Sequence, residues 1–340
     1  MEISNVEITA RFLEEFDKYW KEMTESISSD QSQLTQGNRL RPQICMWGYL
    51  AACNSIEECT KGVSRVASVS VSIEMIHKAS IMLDDWIDED QERHGMPAYH
   101  MEFSPQDTVI TALTIIGLAL RRLKQTVPAS EINLPHYYFL CLDTLIDTIY
   151  AMANGALKEL RLNDENIYNT QVIEEIIQLE TSEIIGNSMI IGYYTGLSER
   201  PSNPIIIEKF KKVGDMCGYM FQAMNDLEVF SNPNKLFAHK GNLNSDVIKK
   251  RKNIAIATLY NLANKKDKKL LLSNPQDYMH PLITKYRVLE IMSSQLNDLF
   301  AQVINTVIQL ERDGISTEWI KGFTSFFDYI KEFAEERLRQ

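Results

Sequence analysis

Three aspartates near residue 85 have the clearest capacity for chemistry in this sequence. Asp84, Asp85 and Asp88 end an apolar stretch whose spacing predicts a helix over about residues 62–88. Positions four apart lie over one another on a helix, so the carboxylates of Asp84 and Asp88 should project together. Such a pair suits Mg²⁺, which prefers oxygen and is usually held by one or two carboxylates, with substrate phosphate and water completing its shell. A solvated, acidic helix end is the alternative interpretation.

A cation follows these carboxylates at the distance of a short loop. Arg93 precedes Gly95 and Pro97, which favour a turn. A guanidinium can bind a phosphate through two parallel hydrogen bonds. The stretch therefore combines groups that bind a metal with a group that binds phosphate, which favours a phosphorylated substrate.

Three segments resemble the motifs of the trans-isoprenyl diphosphate synthases, also called polyprenyl synthetases. Residues 84–88, followed by Arg-His-Gly at 93–95, resemble that family's first aspartate-rich motif. Residues 37–42 read Gly-Asn-Arg-Leu-Arg-Pro and resemble its Gly-Lys-Arg-Leu-Arg-Pro motif. Residues 221–226 read Phe-Gln-Ala-Met-Asn-Asp and resemble the start of its second aspartate-rich motif. The resemblance covers about residues 35–265 and implies an all-α bundle with a central cavity, an isoprenyl diphosphate substrate, two or three Mg²⁺ ions and a homodimer.

The resemblance also implies roles for individual residues on the allylic side of the site. The residues expected to catalyse ionisation of an allylic diphosphate are Asp84, Asp85, Asp88, Arg93, Phe221 and Gln222. The expected metal ligands are Asp84, Asp88, Asn225, Asp226 and Glu228. The ring of Phe221 would face the allylic cation and stabilise it through its π electrons.

The second motif departs from the family pattern. Asn225 and Val229 stand where the family has its first and third aspartates. Asn225 can still offer a carbonyl oxygen to a cation, and Glu228 is its neighbour on the helix surface. Terpene cyclases of related fold also begin this motif with Asn-Asp, but they need a hydroxyl and a glutamate where this chain has Val229 and Pro233. The second motif therefore does not predict a complete set of ligands for a third metal ion.

The acceptor side departs further. In elongating members of the family, isopentenyl diphosphate is bound by a lysine, two arginines and a histidine. The matching positions here are Asn38, Arg41, His94 and His77. Asn38 is neutral, and a histidine is at most partly charged at neutral pH. The lysine and one arginine of the family are therefore lost. At about 1.5–3 kcal/mol for each of these two cation–phosphate contacts, the affinity for isopentenyl diphosphate should fall by roughly two to four orders of magnitude.

Other positions near the motifs also differ or are ambiguous. Glu180 replaces a lysine that in the family leans toward the allylic diphosphate. Ala79 and Ser80 are small, which indicates either a deep hydrocarbon pocket or ordinary helix packing. The polar stretch between Phe230 and Asp246 predicts a lid loop over the diphosphate. The basic residues expected to cover phosphate charge, in this loop and just after it, are Lys235, Lys240 and the run at 249–252, which includes Arg251 and Lys252. A solvated basic patch is the alternative.

Composition favours one helical domain over residues 1–340, because no linker, repeat or low-complexity tract divides the chain. Helices are expected at about 5–28, 42–53, 62–88, 105–124, 134–163, 170–197, 203–231, 245–264, 280–313 and 316–338, with no strand. We expect no membrane span and no secretory signal. The five cysteines lack metal-ligand spacing and indicate a cytoplasmic protein. The net charge of −11 argues against nucleic-acid binding.

The leading hypothesis is a Mg²⁺-dependent prenyltransferase that ionises a C10–C20 allylic diphosphate. The prenyl cation would pass to isopentenyl diphosphate or, as the altered acceptor side favours, to a different molecule. The main alternative is a class I terpene cyclase or diphosphate lyase, a carbon-oxygen lyase in which the substrate's own double bond or water is the acceptor. A catalytically inactive subunit that regulates an active partner is the third hypothesis, and the intact first motif argues against it.

Overall fold

A computed structural model describes residues 5–27, 34, 37–127, 134–163, 166–231 and 251–339. The fold in these ranges is all-α, as the sequence predicts. The helices are α1 (Asn5–Thr24), α2 (Leu40–Ala52), α3 (Ile56–Ile87), α4 (Tyr99–Glu102), α5 (Pro105–Gln125), α6 (His136–Glu159), α7 (Thr170–Ile177), α8 (Glu183–Leu197), α9 (Pro204–Ser231), α10 (Ile254–Leu262), α11 (Lys265–Ser273), α12 (Pro275–Lys285), α13 (Val288–Gln309) and α14 (Thr317–Arg339).

Helix α3 is the central element of the bundle. Ser55 caps its first turn by accepting a hydrogen bond from the backbone N–H of Glu58 at 3.2 Å. The helix is apolar on most of its faces and packs against α1, α2, α5 and α8. Within the described residues it is the one helix long and apolar enough to cross a membrane, and 78% of its most apolar window is buried inside the fold. Its last turn carries the first aspartate-rich motif.

Close packing of α2 against α8 places the acceptor-side residues beside α3. A Cβ atom at Gly48 would lie 1.9 Å from the carbonyl oxygen of Met189, and one at Gly192 would lie 1.9 Å from that of Cys45. Only glycine permits backbones to approach so closely. The buried apolar side chains of the described residues form one continuous core that extends from α1 to α14.

The prediction that the chain has no strand was wrong at one place. Glu92–Arg93 (β1) pairs antiparallel with Met96–Pro97 (β2), and the two-residue loop between them has φ of 54° at His94 and 77° at Gly95. Two positive φ values are what a tight hairpin loop of the type I′ class requires. A hairpin of four paired residues is too short to show period-two alternation in the sequence.

Several predicted helix boundaries also needed correction. The helix expected over 170–197 contains a π-helical turn, Gln178–Ser182, between α7 and α8. Helix α10 begins at Ile254 instead of about 245, and residues 245–250 lie outside the described ranges. Helix α11 was not predicted, because its Lys-Lys-Asp-Lys-Lys start lacks apolar periodicity. The span expected as one helix over 280–313 comprises part of α12, then α13 and the 3₁₀ turn Leu310–Asp313, with a break at Arg287, whose φ is 53°.

Candidate active site

The bundle encloses a cavity of about 1270 Å³. Its lining includes every predicted site residue in the described ranges except Asp85. Lys240 and most of the predicted lid loop lie outside those ranges. Predicted site residues from Asn38 to Arg251 therefore line one cavity.

The cavity has a polar end and an apolar wall. The polar end contains side chains from the last turn of α3, from the β1–β2 hairpin and from α9. The apolar wall includes Leu83, Ile116, Ile149, Met152 and Ala156. Ser80 lines the cavity, whereas Ala79 is fully buried in the core and does not reach the lining. Of these two small residues before the first motif, Ser80 therefore leaves space in the cavity, and Ala79 serves helix packing.

The β1–β2 hairpin fixes Arg93 against the end of α3. The Nε of Arg93 donates to Oδ2 of Asp85 at 3.0 Å, and its NH2 group pairs with Oδ1 of the same carboxylate. Asp85 is 2% exposed, so it is committed to this pairing beneath the cavity. Burial disfavours the charge of Arg93, but the hydrogen bond and charge of Asp85 outweigh burial and raise its pKa. Asp85 therefore orients Arg93, which itself lines the cavity.

Replacing Arg93 with lysine tests this forked pairing. We expect Arg93→Lys to lower the rate of diphosphate release at least about tenfold, because lysine cannot form two parallel hydrogen bonds to a carboxylate or to a phosphate. Steady-state kinetics with an allylic diphosphate would measure the change. The exposed pair of Lys61 and Glu57 offers a control, and Lys61→Arg should leave the rate unchanged. Wild-type activity in Arg93→Lys would show that Arg93 does not have its expected role.

Asp88 and Arg251 form an ion pair at the polar end. Asp88 caps the C-terminus of α3, and the NH2 group of Arg251 donates to the carbonyl oxygen of Ile87 at 2.8 Å. Side chains of this pair are 18% and 14% exposed, so the basic stretch before α10 is not a solvated patch at this residue. Arg251 also lines the cavity, and its predicted contact with a substrate diphosphate stays a prediction.

The oxygen atoms at the polar end suit Mg²⁺. Asp84 and Asp88 on α3, and Asn225 and Glu228 on α9, all line the same cavity. In the described part of the chain, no group of three or more His, Cys, Asp or Glu side chains is arranged to hold a metal by itself. Mg²⁺ usually needs only one or two protein carboxylates when phosphate and water supply its other ligands. The donor set therefore fits a Mg²⁺ ion that binds together with a diphosphate.

Asp226, a predicted metal ligand, holds α9 to α10 in this structure. It is 4% exposed, its Oδ1 accepts a hydrogen bond from Nε2 of Gln222 at 2.8 Å, and its Oδ2 accepts one from the backbone N–H of Ile254 at 2.7 Å. The second contact satisfies a backbone donor in the first turn of α10. Asp226 thus has a structural role beside its predicted one.

Removing the Asp226 carboxylate should therefore destabilise the fold. We expect Asp226→Ala to lower the free energy of unfolding by about 1–3 kcal/mol, because the buried N–H of Ile254 loses its acceptor. Denaturant unfolding monitored by circular dichroism would measure the change. Asp298→Ala, at an exposed position on α13, is the matched control. Equal stability of both variants would contradict the structural role.

The acceptor end of the cavity is lined by Asn38, Arg41, His77 and His94. NH1 of Arg41 lies 2.8 Å from Nε2 of His77, and arginine can only donate, so the histidine nitrogen accepts and the ring is neutral. Burial, with the nearby charges of Arg41, Lys78 and Arg93, holds the pKa of His77 well below its ordinary value. Burial also lowers the pKa of Arg41 to about 10, which leaves it charged at neutral pH.

The two substituted acceptor residues are accessible. Asn38 and His94 are both exposed and line the cavity. Arg41 is the one arginine or lysine among the four matched acceptor positions.

One cluster in the cavity wall was not predicted, since Lys252 was expected to cover phosphate charge and here pairs with two carboxylates. Lys252 pairs with Glu159 of α6 and lies 2.6 Å from Oε2 of Glu180, which belongs to the π-helical turn. All three residues line the cavity. The sequence marks Glu180 only as a departure from the family, and these contacts join residues too far apart in the chain to leave a local pattern.

A model of the polyprenyl synthetase family matches residues 23–289, which is most of the chain. The chain belongs to the polyprenyl synthetase family. Among curated relatives, the chain is 25% identical over 194 residues to a geranylfarnesyl diphosphate synthase from Methanosarcina mazei, covering 57% of this chain and 58% of the relative. It is 23% identical over 200 residues to a geranylgeranyl diphosphate synthase from the same organism, covering 59% and 57%. The matched stretches thus span a little more than half the length of these relatives.

Solved structures share the fold over nearly the whole chain. A geranylgeranyl pyrophosphate synthetase from Pyrococcus horikoshii superposes with a TM-score of 0.75 at 19% identity, covering 95% of this chain and 98% of that one. A decaprenyl diphosphate synthase from Rhodobacter capsulatus gives 0.76 at 15% identity, covering 98% and 99%. The family and the all-α fold expected from the sequence are confirmed.

Proposed function

We propose that this member of the family is a Mg²⁺-dependent prenyltransferase that ionises a C10–C20 allylic isoprenyl diphosphate and transfers the prenyl cation to an acceptor. The observation that carries the proposal is a cavity with a polar end and an apolar wall. Carboxylates and arginines lie at one end, and an apolar wall follows. Such a cavity matches a substrate with an anionic head and a hydrocarbon tail.

Each part of the polar end has a role in breaking the carbon–oxygen bond of the substrate. Mg²⁺ held by Asp84 and Asp88, with Asn225 and Glu228 on the facing helix, would neutralise the charge that grows on the departing diphosphate. Arg93, oriented by Asp85, would bind the same group and stabilise its charge in the transition state. Phe221 would face the cation, and the apolar wall would keep water from it.

The acceptor end favours an acceptor other than isopentenyl diphosphate. A second diphosphate would need several cations, whereas the matched positions supply one charged arginine, a neutral, half-buried histidine, and an exposed asparagine and histidine. The same observation favours the second candidate function, a class I terpene cyclase or diphosphate lyase, because that reaction needs no second diphosphate.

We also propose a cytoplasmic homodimer. Helices α5 and α6 carry large apolar side chains on the surface, among them Ile110 at 63%, Leu113 at 60% and Tyr150 at 70% exposure. Exposed apolar groups on adjoining helices are typical of a protein interface. Sedimentation equilibrium of wild type and of Ile110→Glu with Leu113→Glu tests the proposal, and a dimeric double variant would place the interface elsewhere.

Product analysis tests the proposed function and distinguishes the prenyltransferase from the cyclase or lyase. Purified protein with Mg²⁺ would be incubated with C10, C15 and C20 allylic diphosphates, with and without isopentenyl diphosphate, and the products identified by mass spectrometry. We expect allylic diphosphate to be consumed at a rate that isopentenyl diphosphate hardly changes. A cyclic or linear hydrocarbon without any acceptor would establish the cyclase or lyase instead. No consumption of any substrate would contradict both functions.

A further inference from the structure

The cluster of Glu159, Lys252 and Glu180 has no part in the function proposed above, yet it lies in the cavity wall. The side chains are 8%, 12% and 15% exposed. The backbone N–H of Lys252 also donates to Oε1 of Glu159 at 3.1 Å. Burying three charged groups is costly unless they are paired, and two carboxylates here share one ammonium group. With all three groups ionised, the cluster as a whole carries one negative charge.

Two local features of the chain place Glu180 at this point. It lies in the π-helical turn Gln178–Ser182, and such turns shift side chains out of helical phase and are frequent at functional sites. Gly155 of α6 faces it, and a Cβ atom there would lie 2.4 Å from Cγ of Glu180. Any larger residue at 155 would therefore displace the Glu180 side chain.

The cluster lies between the apolar wall and the polar end. On α6 the lining residues Ile149, Met152 and Ala156 are followed at helical spacing by Glu159. Next to Glu180, the hydroxyl of Thr181 lies 3.4 Å from Oε1 of Gln222 at the polar end. The reactive carbon of a bound allylic diphosphate joins its hydrocarbon tail to its phosphate head, so it would lie at this junction.

The charges around Glu180 prepare it to take up a proton. Burial is the main reason that its pKa rises to about 7, and the charges of Glu159 on α6 and Asp84 on α3 act in the same direction. The ammonium of Lys252 acts against them and favours the charged form. When two carboxylates share one cation, protonating one of them makes the cluster neutral. A group that titrates near neutral pH is well matched to proton transfer.

We propose that Glu180, held in place by Lys252 and Glu159, is the catalytic base that ends the reaction of this site. Once the prenyl cation has formed its new bond, a proton leaves the carbon next to the cationic centre and binds a carboxylate oxygen of Glu180. The electron pair of the broken C–H bond becomes the new double bond. Neutral Glu180 then returns its proton to water. The proposal rests on the function proposed above.

Glu180→Gln keeps the shape of the side chain and leaves Lys252 paired with Glu159, so the fold should be retained. Ionisation does not need the base, so diphosphate release should continue. We expect the ratio of deprotonated product to water-captured alcohol to fall at least about tenfold. Glu175→Gln, which removes an exposed glutamate of α7 outside the cavity, should leave the ratio unchanged. An unchanged ratio in Glu180→Gln would overturn the inference while leaving the proposed function intact.

The pH dependence provides a second test. Glu180 accepts a proton only when ionised, so formation of deprotonated product should fall as the pH drops below about 7. Lys252→Met removes the positive charge that lowers the pKa of Glu180, so in this variant the fall in deprotonated product should begin at a higher pH. Glu180→Gln should show no such fall. Infrared difference spectra need no substrate: a carboxylic acid band that titrates near pH 7 should be present in wild type and lost in Glu180→Gln, whereas bands from other buried acids such as Glu74 and Asp215 should remain in both. Identical spectra would overturn the inference whether or not the proposed function holds.

Discussion

Replacing Asp84 with alanine should lower the rate of Mg²⁺-dependent diphosphate release at least about 100-fold while leaving the fold intact. Asp84 lines the polar end of the cavity and is partly exposed, so its removal takes away a metal ligand without creating a void in the core. Diphosphate release can be followed with a coupled assay, and thermal unfolding would report on the fold.

Asp298→Ala is the matched control, because it removes an exposed carboxylate from α13 far from the cavity lining. It should retain full activity. Asp88→Ala should also be inactive, but it leaves Arg251 without its carboxylate partner, so a modest loss of stability would accompany the loss of activity. Unchanged turnover in Asp84→Ala would rule out the proposed metal site.

Restoring two cations at the acceptor end should create or raise elongation with isopentenyl diphosphate. Asn38 and His94 are both exposed and line the cavity, so longer basic side chains can extend toward an acceptor there. The double change Asn38→Lys with His94→Arg would add two charge-assisted contacts, each of about 1.5–3 kcal/mol, which together correspond to roughly two to four orders of magnitude in affinity. The Michaelis constant for isopentenyl diphosphate and the mass of the products would measure the effect.

The single variants serve as controls for this prediction, since each should recover only part of the gain. His94 has a φ of 54°, so arginine at this position must accept the same backbone strain in the hairpin loop. Efficient elongation by the unmodified protein, with a low Michaelis constant for isopentenyl diphosphate, would contradict the claim that the acceptor site is altered. The protein would then be an ordinary elongating synthase.

The sequence predicted the site best where a local motif carries it. Asp84 and Asp88 lie one turn apart at the end of a long apolar helix, and periodicity alone predicts that arrangement. Arg93 and Gln222 were identified through short motifs that resemble the family's, and the structure brings both to the same cavity.

The partners of these residues could not be predicted in the same way. The pairs of Asp88 with Arg251 and of Glu159 with Lys252 join side chains from distant parts of the chain, and nothing in the local sequence marks them as partners. The π-helical turn that presents Glu180 has no distinguishing composition. Burial also changes chemistry that residue type alone would predict, since His77 is neutral because it is enclosed beside Arg41.

Cleavage of the carbon–oxygen bond of an allylic diphosphate is the central claim, and turnover in ¹⁸O-labelled water measures it most directly. Wild-type protein with Mg²⁺ and farnesyl diphosphate would be quenched early, and the released diphosphate and the prenyl product analysed by mass spectrometry. Ionisation at carbon predicts intact diphosphate without ¹⁸O, and any alcohol formed by water capture would carry the label. Label in the phosphate, or release of monophosphate, would show attack at phosphorus and contradict the proposed function.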